Sequence, residues 1–355
     1  MQEKLTEKQA EQLTDWYEKN RRSLPWRDTG NPYHVWISEI MLQQTRIEAV
    51  IPKYEAFIRE LPDTAALARC DDDRLMRLWE GLGYYSRARN LKKCAEVLTE
   101  NFGGRLPEDY ALLKKLPGIG PYTAGAIASI AFSIPVPAVD GNVLRVLARV
   151  FAVREDIRSE ETKKHITDTL SEVYASAHVS CSSFNQGMME LGETLCLPAK
   201  PHCSTCPWNE SCLALQQGTV SQIPYRSPLK QRKIIRRTLL VIREGEKFMI
   251  RRRPEKGLLA GLYEFIGIDE DLEAKDALAE AEKMGMTPLR IRPLPDSVHV
   301  FTHLEWHMKA YEIRIAEGAK LKDGCILVSR AEIADKALPS AFRAYTRWYA
   351  LREDE

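Results

Sequence analysis

Cys196-Leu197-Pro198-Ala199-Lys200-Pro201-His202-Cys203-Ser204-Thr205-Cys206-Pro207-Trp208-Asn209-Glu210-Ser211-Cys212 is the stretch that divides this chain. Six, two and five residues separate its four successive cysteines. The sequence before it carries helical spacing, and the sequence after Tyr225 has a different character. The loop therefore closes one domain before a second begins. Thiolates are soft ligands, and four so close together suit either zinc or a four-iron four-sulfur ([4Fe–4S]) cluster. Structural zinc sites commonly draw their cysteines from two separated knuckles. Here all four lie in one loop stiffened by Pro198, Pro201 and Pro207, which favours the cluster.

Working outward, 355 residues point to two domains, and 44% hydrophobic with 28% charged residues excludes a disordered chain. The formal net charge is only +1, so a polyanionic partner must meet local clusters of basic residues. Met1 to Lys8 lacks the apolar segment of a signal peptide, and no apolar run is long enough to span a bilayer. We expect a cytoplasmic, monomeric protein with no membrane role, whose thiols stay reduced and serve as metal ligands rather than disulfides. Cys70, Cys94, Cys181 and Cys325 are scattered and read as buried or idle.

Before the loop, apolar spacing predicts helices near 4–20, 33–45, 46–60, 71–79, 86–101, 109–116, 122–132, 142–151, 160–175 and 183–195. Asn31-Pro32 is a helix start, an N-cap followed by proline in the first turn. No strand pattern precedes residue 220, so the first domain, 1–217, is all-α. After it, residues 218–237 form a basic stretch that suits a solvated linker or a phosphate-tracking strap. In 238–355, Thr238–Arg243 and Lys247–Arg252 predict a hairpin around Glu244-Gly245, 273–284 a helix, and Glu305–Ile315 a strand. The second domain is α+β.

Leu116-Pro117-Gly118-Ile119-Gly120-Pro121-Tyr122, within 112–132, sits between two helical segments. Gly118 and Gly120 allow backbone N–H groups to approach an anion, and the next helix adds its positive end. Together with the cysteine loop at 196–212, this hairpin resembles the helix-hairpin-helix DNA glycosylases related to endonuclease III. The resemblance implies that Cys196, Cys203, Cys206 and Cys212 carry the cluster beside a DNA-contacting surface. Lys200 and His202 would then reach phosphate or stay solvated, and Lys114 and Lys115, before the turn, would be surface or phosphate contacts.

Two acids stand out by their settings. Glu39 lies among Trp36, Ile37, Ile40, Met41 and Leu42, and apolar surroundings raise a carboxyl pKa toward that of a general acid. Asp140 follows Pro135-Val136-Pro137-Ala138-Val139 and precedes a helix, where the N-terminus favours the ionised form. Releasing a base from deoxyribose asks for two such unlike acids, one to protonate the leaving group and one to support the oxocarbenium-like sugar.

Ser38 to Thr45, Gly81-Leu82-Gly83-Tyr84-Tyr85-Ser86-Arg87 and Val139-Asp140-Gly141-Asn142-Val143 together resemble the adenine DNA glycosylases, over essentially residues 10–215. The resemblance implies that Glu39 protonates adenine and Asp140 serves the sugar, with Tyr122 and Asn142 in support. Arg27, Gln44, Thr45, Leu82 and Tyr84 would meet the DNA strand, with Gly118 and Gly120 of the hairpin. Endonuclease III-like enzymes carry a Schiff-base lysine where this chain has Tyr122, and a phenol forms no imine. A monofunctional enzyme of base-excision repair is expected, acting on a base flipped from double-stranded DNA.

Gly257 to Phe265 resembles the approach to a Nudix signature, but the metal-binding Arg-Glu and Glu-Glu pairs are broken up in Leu278 to Gly285. The domain therefore reads as a Nudix-like reader rather than a hydrolase. The resemblance implies that Phe301, Thr302 and His303 recognise 8-oxoguanine opposite the adenine.

Overall fold

The computed structural model describes residues 4–176, 179–228, 231–321, 324–334 and 336–350. Leu229 and Lys230 of the basic stretch, and the last five residues of the second predicted domain, lie outside the described residues. The chain divides into two units, one of residues 1–69 and 89–228, the other of residues 70–88 and 229–355.

The helices run α1 (Glu7–Asn20), α2 (Pro32–Leu42), α3 (Ile47–Glu60), α4 (Thr64–Arg69), α5 (Asp72–Leu78) and α6 (Ser86–Asn101). They continue with α7 (Tyr110–Leu113), α8 (Pro121–Phe132), α9 (Gly141–Val150), α10 (Glu160–Ser176), α11 (Cys181–Thr194) and α12 (Leu213–Gln216). Local chemistry starts them as read from the sequence: Asn31 accepts from Tyr33 N at 2.9 Å with Pro32 next, and Asp140 caps α9. The helix over Ala66 was not anticipated; it is a single short segment held by Asp63, whose carboxylate accepts from Ala66 N at 2.7 Å.

Two glycines set the approach of the elements that carry the candidate site. A Cβ on Gly192 of α11 would stand 2.6 Å from Asn142 Cβ, so only glycine lets the start of α9 press this closely. A Cβ on Gly125 of α8 would meet the Pro137 carbonyl oxygen at 2.3 Å, and that segment leads directly into Asp140. The core behind them includes Leu13, Val146, Leu147, Phe184, Met188 and Trp208. Trp208 roots the cysteine loop in this core, its indole donating to Gln9 O at 2.8 Å.

The other unit includes α5 together with the strands β1 (Lys233–Glu244), β2 (Lys247–Arg252), β3 (Tyr263–Glu264), β4 (Ile266–Ile268), β5 (Pro288–Val300), β6 (Leu304–Ile315) and β7 (Cys325–Val328). The sheet order is β3-β2-β1-β6-β5, with β4 also pairing β1 and β7 pairing β2. Alternate residues of β1 feed opposite faces, Leu239 and Val241 to one core and Leu240 and Ile242 to another. Helix α13 (Ala274–Lys283) covers the second core through Ala277 and Ala281. After the sheet come α14 (Arg330–Ala334) and α15 (Arg343–Ala350).

The expected hairpin forms with Glu244 opposite Lys247. Strand β1 begins at Lys233, inside the basic stretch, because Lys233–Arg237 pair in parallel with Leu304–Met308. Strand β5 was not anticipated: Pro288, Pro293 and Pro295 disguise it, and it lies at the sheet edge where proline is tolerated. Residues Phe301–His303 form the tip between β5 and β6.

Candidate active site

A cavity of about 870 Å³ opens in the helical unit, and Glu39, Asp140, Tyr122 and Asn142 all line it. Helix α2 is buried almost all round, with Val35, Trp36, Ile37, Ile40 and Met41 inside. A carboxyl on such a helix is held among apolar side chains, and Glu39 is only 6% exposed. Burial raises its pKa to about 7, aided by the negative charge of Asp140 and opposed by a hydrogen bond from Tyr122. The Tyr122 hydroxyl donates to Glu39 Oε2 at 2.6 Å, with Met189 Sδ at 3.8 Å. Burial, then the neighbouring carboxylates, hold the phenol well above its ordinary pKa, so it stays a donor.

Asp140 is half-buried and tied on three sides. Its Oδ1 accepts from Asn142 N at 2.9 Å and Val143 N at 2.8 Å, and its Oδ2 from Asn142 Nδ2 at 2.8 Å. The helix N-terminus was expected to hold this acid below its usual range. The direction is upward instead: burial outweighs the three hydrogen bonds and the Arg145 charge that oppose it. What separates the two acids is their donors, three on Asp140 and the Tyr122 phenol on Glu39.

A hydrogen-bonded chain continues inward from Asp140. Arg145 Nη2 donates to Asn142 Oδ1 at 2.9 Å and to Gly192 O at 2.7 Å, while its Nε donates to Cys196 O at 2.8 Å. Arg149, 2% exposed, donates to Leu197 O at 2.7 Å, Pro198 O at 2.9 Å and Cys196 Sγ at 3.3 Å. Cys196, Cys203, Cys206 and Cys212 line one small cavity walled by Val146, Val150, Leu191 and Trp208. No three of the described His, Cys, Asp and Glu side chains converge as a single-ion site. Four soft donors spaced around one cavity fit a polynuclear group better than one ion.

The other residues singled out in the sequence divide into several environments. Arg27 lines the large cavity but is nine-tenths buried, donating to Glu190 Oε2 at 2.7 Å and Arg22 O at 2.8 Å. Gln44, exposed and with φ 56°, and Thr45 stand at the same cavity. Leu82 is buried, whereas Tyr84 is 46% exposed with φ 45°. Gly118 and Gly120 are exposed at the hairpin; Gly118 has φ +76°, and a Cβ there would meet Asn90 Cβ at 2.6 Å. Phe301 stands edge-on to Trp306 with ring centroids 4.9 Å apart, and Thr302 and His303 are exposed. Thr302 Oγ1 shares a 2.6 Å hydrogen bond with the Tyr84 hydroxyl, both residues belonging to the sheet-containing unit.

Sequence reading missed Glu190, Arg22 and Gln43. Glu190 is 1% exposed and accepts from Arg22 Nε at 2.6 Å, Arg22 Nη2 at 2.9 Å and Arg27. Burial would raise its pKa, but the two guanidinium groups win and hold it below the ordinary value. An acid following Met188-Met189 carries the same signal as Glu39, an acid in an apolar run. Gln43 donates to Thr123 Oγ1 at 3.2 Å, and no local signal marks it.

The HhH-GPD superfamily of base excision DNA repair proteins matches residues 37–172, and a NUDIX domain matches residues 237–348. The adenine DNA glycosylase of Mus musculus is 32% identical over 397 aligned residues, covering 95% of this chain and 77% of the mouse protein. That of Buchnera aphidicola subsp. Baizongia pistaciae is 34% identical, with 82% of each chain covered. Among solved structures, a thermostable thymine-DNA glycosylase is similar with a TM-score of 0.54 and 27% identity, over 59% of this chain and 97% of its own.

Proposed function

This chain belongs to the adenine DNA glycosylase family, and we propose that it hydrolyses the N-glycosidic bond of adenine mispaired with 8-oxoguanine or guanine in duplex DNA. It is a DNA glycosylase of base excision repair, with a helical helix-hairpin-helix region followed by a Nudix-like domain. Glu39 and Asp140 stand on one cavity with unlike donors on the two carboxyls, and that pairing supports adenine release.

Glu39, half protonated near neutral pH, is the proton donor to the flipped adenine. Protonating the base withdraws electrons from the glycosidic bond, so the base leaves as a neutral purine. Asp140, fixed by Asn142 and Val143, supplies a carboxylate to the positive charge that grows on the sugar, by stabilising it or attacking it. Tyr122 orients Glu39 and has no amine to form an imine, which supports hydrolysis without strand cleavage. Gln44, Thr45, Leu82 and Tyr84 meet the opened strand, and Phe301, Thr302 and His303 read the opposing base. The Tyr84–Thr302 hydrogen bond supports joint action of wedge and reader.

Cys196, Cys203, Cys206 and Cys212 would hold a [4Fe–4S] cluster, which supplies a four-thiolate cross-link that shapes the loop. Arg149 and Arg145 brace the same loop through Cys196 and pass its position to Asn142. Cys203→Ser is expected to lower thermal stability before it alters the chemistry.

The test is single-turnover base release from duplexes with adenine opposite 8-oxoguanine, guanine and thymine. Glu39→Gln and Asp140→Asn should each reduce release by about a thousandfold with DNA binding retained. Full turnover in both variants overturns the assignment. Borohydride trapping of a covalent adduct would overturn the monofunctional reading.

A further inference from the structure

Glu193 is an acid in a place that disfavours one. It stands in the last turn of α11, where a helix end carries partial negative charge. Glu190 precedes it by three residues, and like charges at that spacing on a helix repel. Glu193 also lines the cavity that already holds Glu39 and Asp140. Arg22 offsets this crowding, its Nη2 lying 2.7 Å from Glu193 Oε2 and 2.9 Å from Glu190 Oε2.

Arg22 has other anchors. Its Nε donates to Glu190 Oε1 at 2.6 Å and its backbone N to the same oxygen at 3.2 Å. The Glu193 side chain is 35% exposed, against 1% for Glu190, and an ion pair so open to solvent adds little to stability. Its charge matters more than its bond. Arg22 and Arg27 both donate to Glu190, which leaves two guanidinium groups sharing one carboxylate at the wall of the cavity. Glu193 supplies the second carboxylate and balances the pair. Without it an excess positive charge would stand beside Glu39 and favour loss of its proton.

We propose that Glu193 is a positioning residue that acts through Glu39: by balancing Arg22 and Arg27, it lets Glu39 meet the flipped adenine as a neutral acid. This rests on the reading of Glu39 as the proton donor. The groups around Glu39 divide by sign. Asp140, ahead of α9, and Glu193 on α11 favour the protonated carboxyl, whereas Tyr122 on α8 and Arg27 after α1 favour the carboxylate. At the cavity rim Arg21 pairs with Asp28 at 2.6 Å and Glu18 at 3.7 Å, and Arg46 stands ahead of α3.

Two substitutions part charge from shape. Glu193→Gln keeps the length and an oxygen for Arg22 but loses the charge, and Glu193→Asp keeps the charge on a shorter arm. In single-turnover base release, Glu193→Gln should lower the alkaline limb by roughly half a pH unit. Release at about pH 8, relative to about pH 5.5, should then fall about threefold. Glu193→Asp should leave the limb near that of the parent. Carbon-13 carboxyl resonances of the full chain labelled at glutamate, titrated without DNA and assigned with Glu39→Gln, give the Glu39 midpoint directly. It should drop in Glu193→Gln by the same amount.

A midpoint that stays or rises in Glu193→Gln overturns the proposal. So does an equal drop in Glu193→Asp, which would make side-chain shape the cause. A loss of release that is uniform across pH also overturns it, since that outcome assigns Glu193 a structural part alone. Release retained in Glu39→Gln would instead strike the donor reading, and the two failures are told apart because the resonance titration needs no turnover.

Discussion

Glu39 and Glu190 line the same cavity, are both more than nine-tenths buried, and are pushed in opposite directions. Glu39 on α2 faces a phenol and apolar side chains, and its pKa rises to about 7. Glu190 on α11 faces Arg22 and Arg27, and its pKa falls despite its burial. Burial alone therefore does not make an acid into a proton donor. The partner decides: a neutral donor leaves the proton available, and guanidinium groups turn the same side chain into a permanent anion that ties α11 to the turn after α1.

Removing Arg27 should have the most visible effect. Arg27→Met leaves Glu190 with Arg22 alone, and a loss of about 3 kcal/mol in unfolding free energy is expected by denaturant titration. The cation at Arg27 also lowers the Glu39 pKa, so its removal should move the alkaline limb of the activity profile to higher pH. A variant as stable as the parent, with an unmoved limb, would mean that Glu190 and Glu39 are not set apart by their partners.

The next effect concerns stability against pH. The folded pKa of Glu39 is raised from 4.5 to about 7, so its contribution is fully present below the unfolded value and is lost as pH rises through about 7. Glu39→Gln carries no such penalty. It should match the parent below about pH 4.5, the unfolded value, and exceed it above pH 8 by about 3.5 kcal/mol, given roughly 1.4 kcal/mol per unit over the rise from 4.5 to about 7. Parallel stability curves across that range would refute the burial argument.

The Tyr122 hydrogen bond lowers the Glu39 pKa against burial. Tyr122→Phe should therefore shift the alkaline limb of base release upward, by on the order of half a pH unit, in a pH–rate profile. A downward shift would mean that the phenol favours the protonated carboxyl.

Much of the helical unit was legible because its signals are local. Asn31-Pro32, the buried face around Glu39 and the cap at Asp140 each lie within a few residues of the helix they govern. Asp140 was recognised but its pKa direction was not, since a helix N-terminus is visible in sequence and the surrounding burial is not. Strand β5 was hidden for a related reason: its prolines obscure the strand pattern, and only the pairing with β6 reveals an edge.

Read without the fold, the chain already marks the starts of the helices at Pro32 and Gly141, the four cysteines of one loop, the apolar run around Glu39 and a phenol at Tyr122 that forms no imine. Those are properties of residue type and spacing along a few turns of chain. Packing in three dimensions is what brings Glu190 to Arg22, 168 residues away, and joins Asn142 to Cys196 through Arg145. Such charges are sorted by what packs against them, and a chain written in order carries no record of which distant side chain will reach a buried carboxyl first.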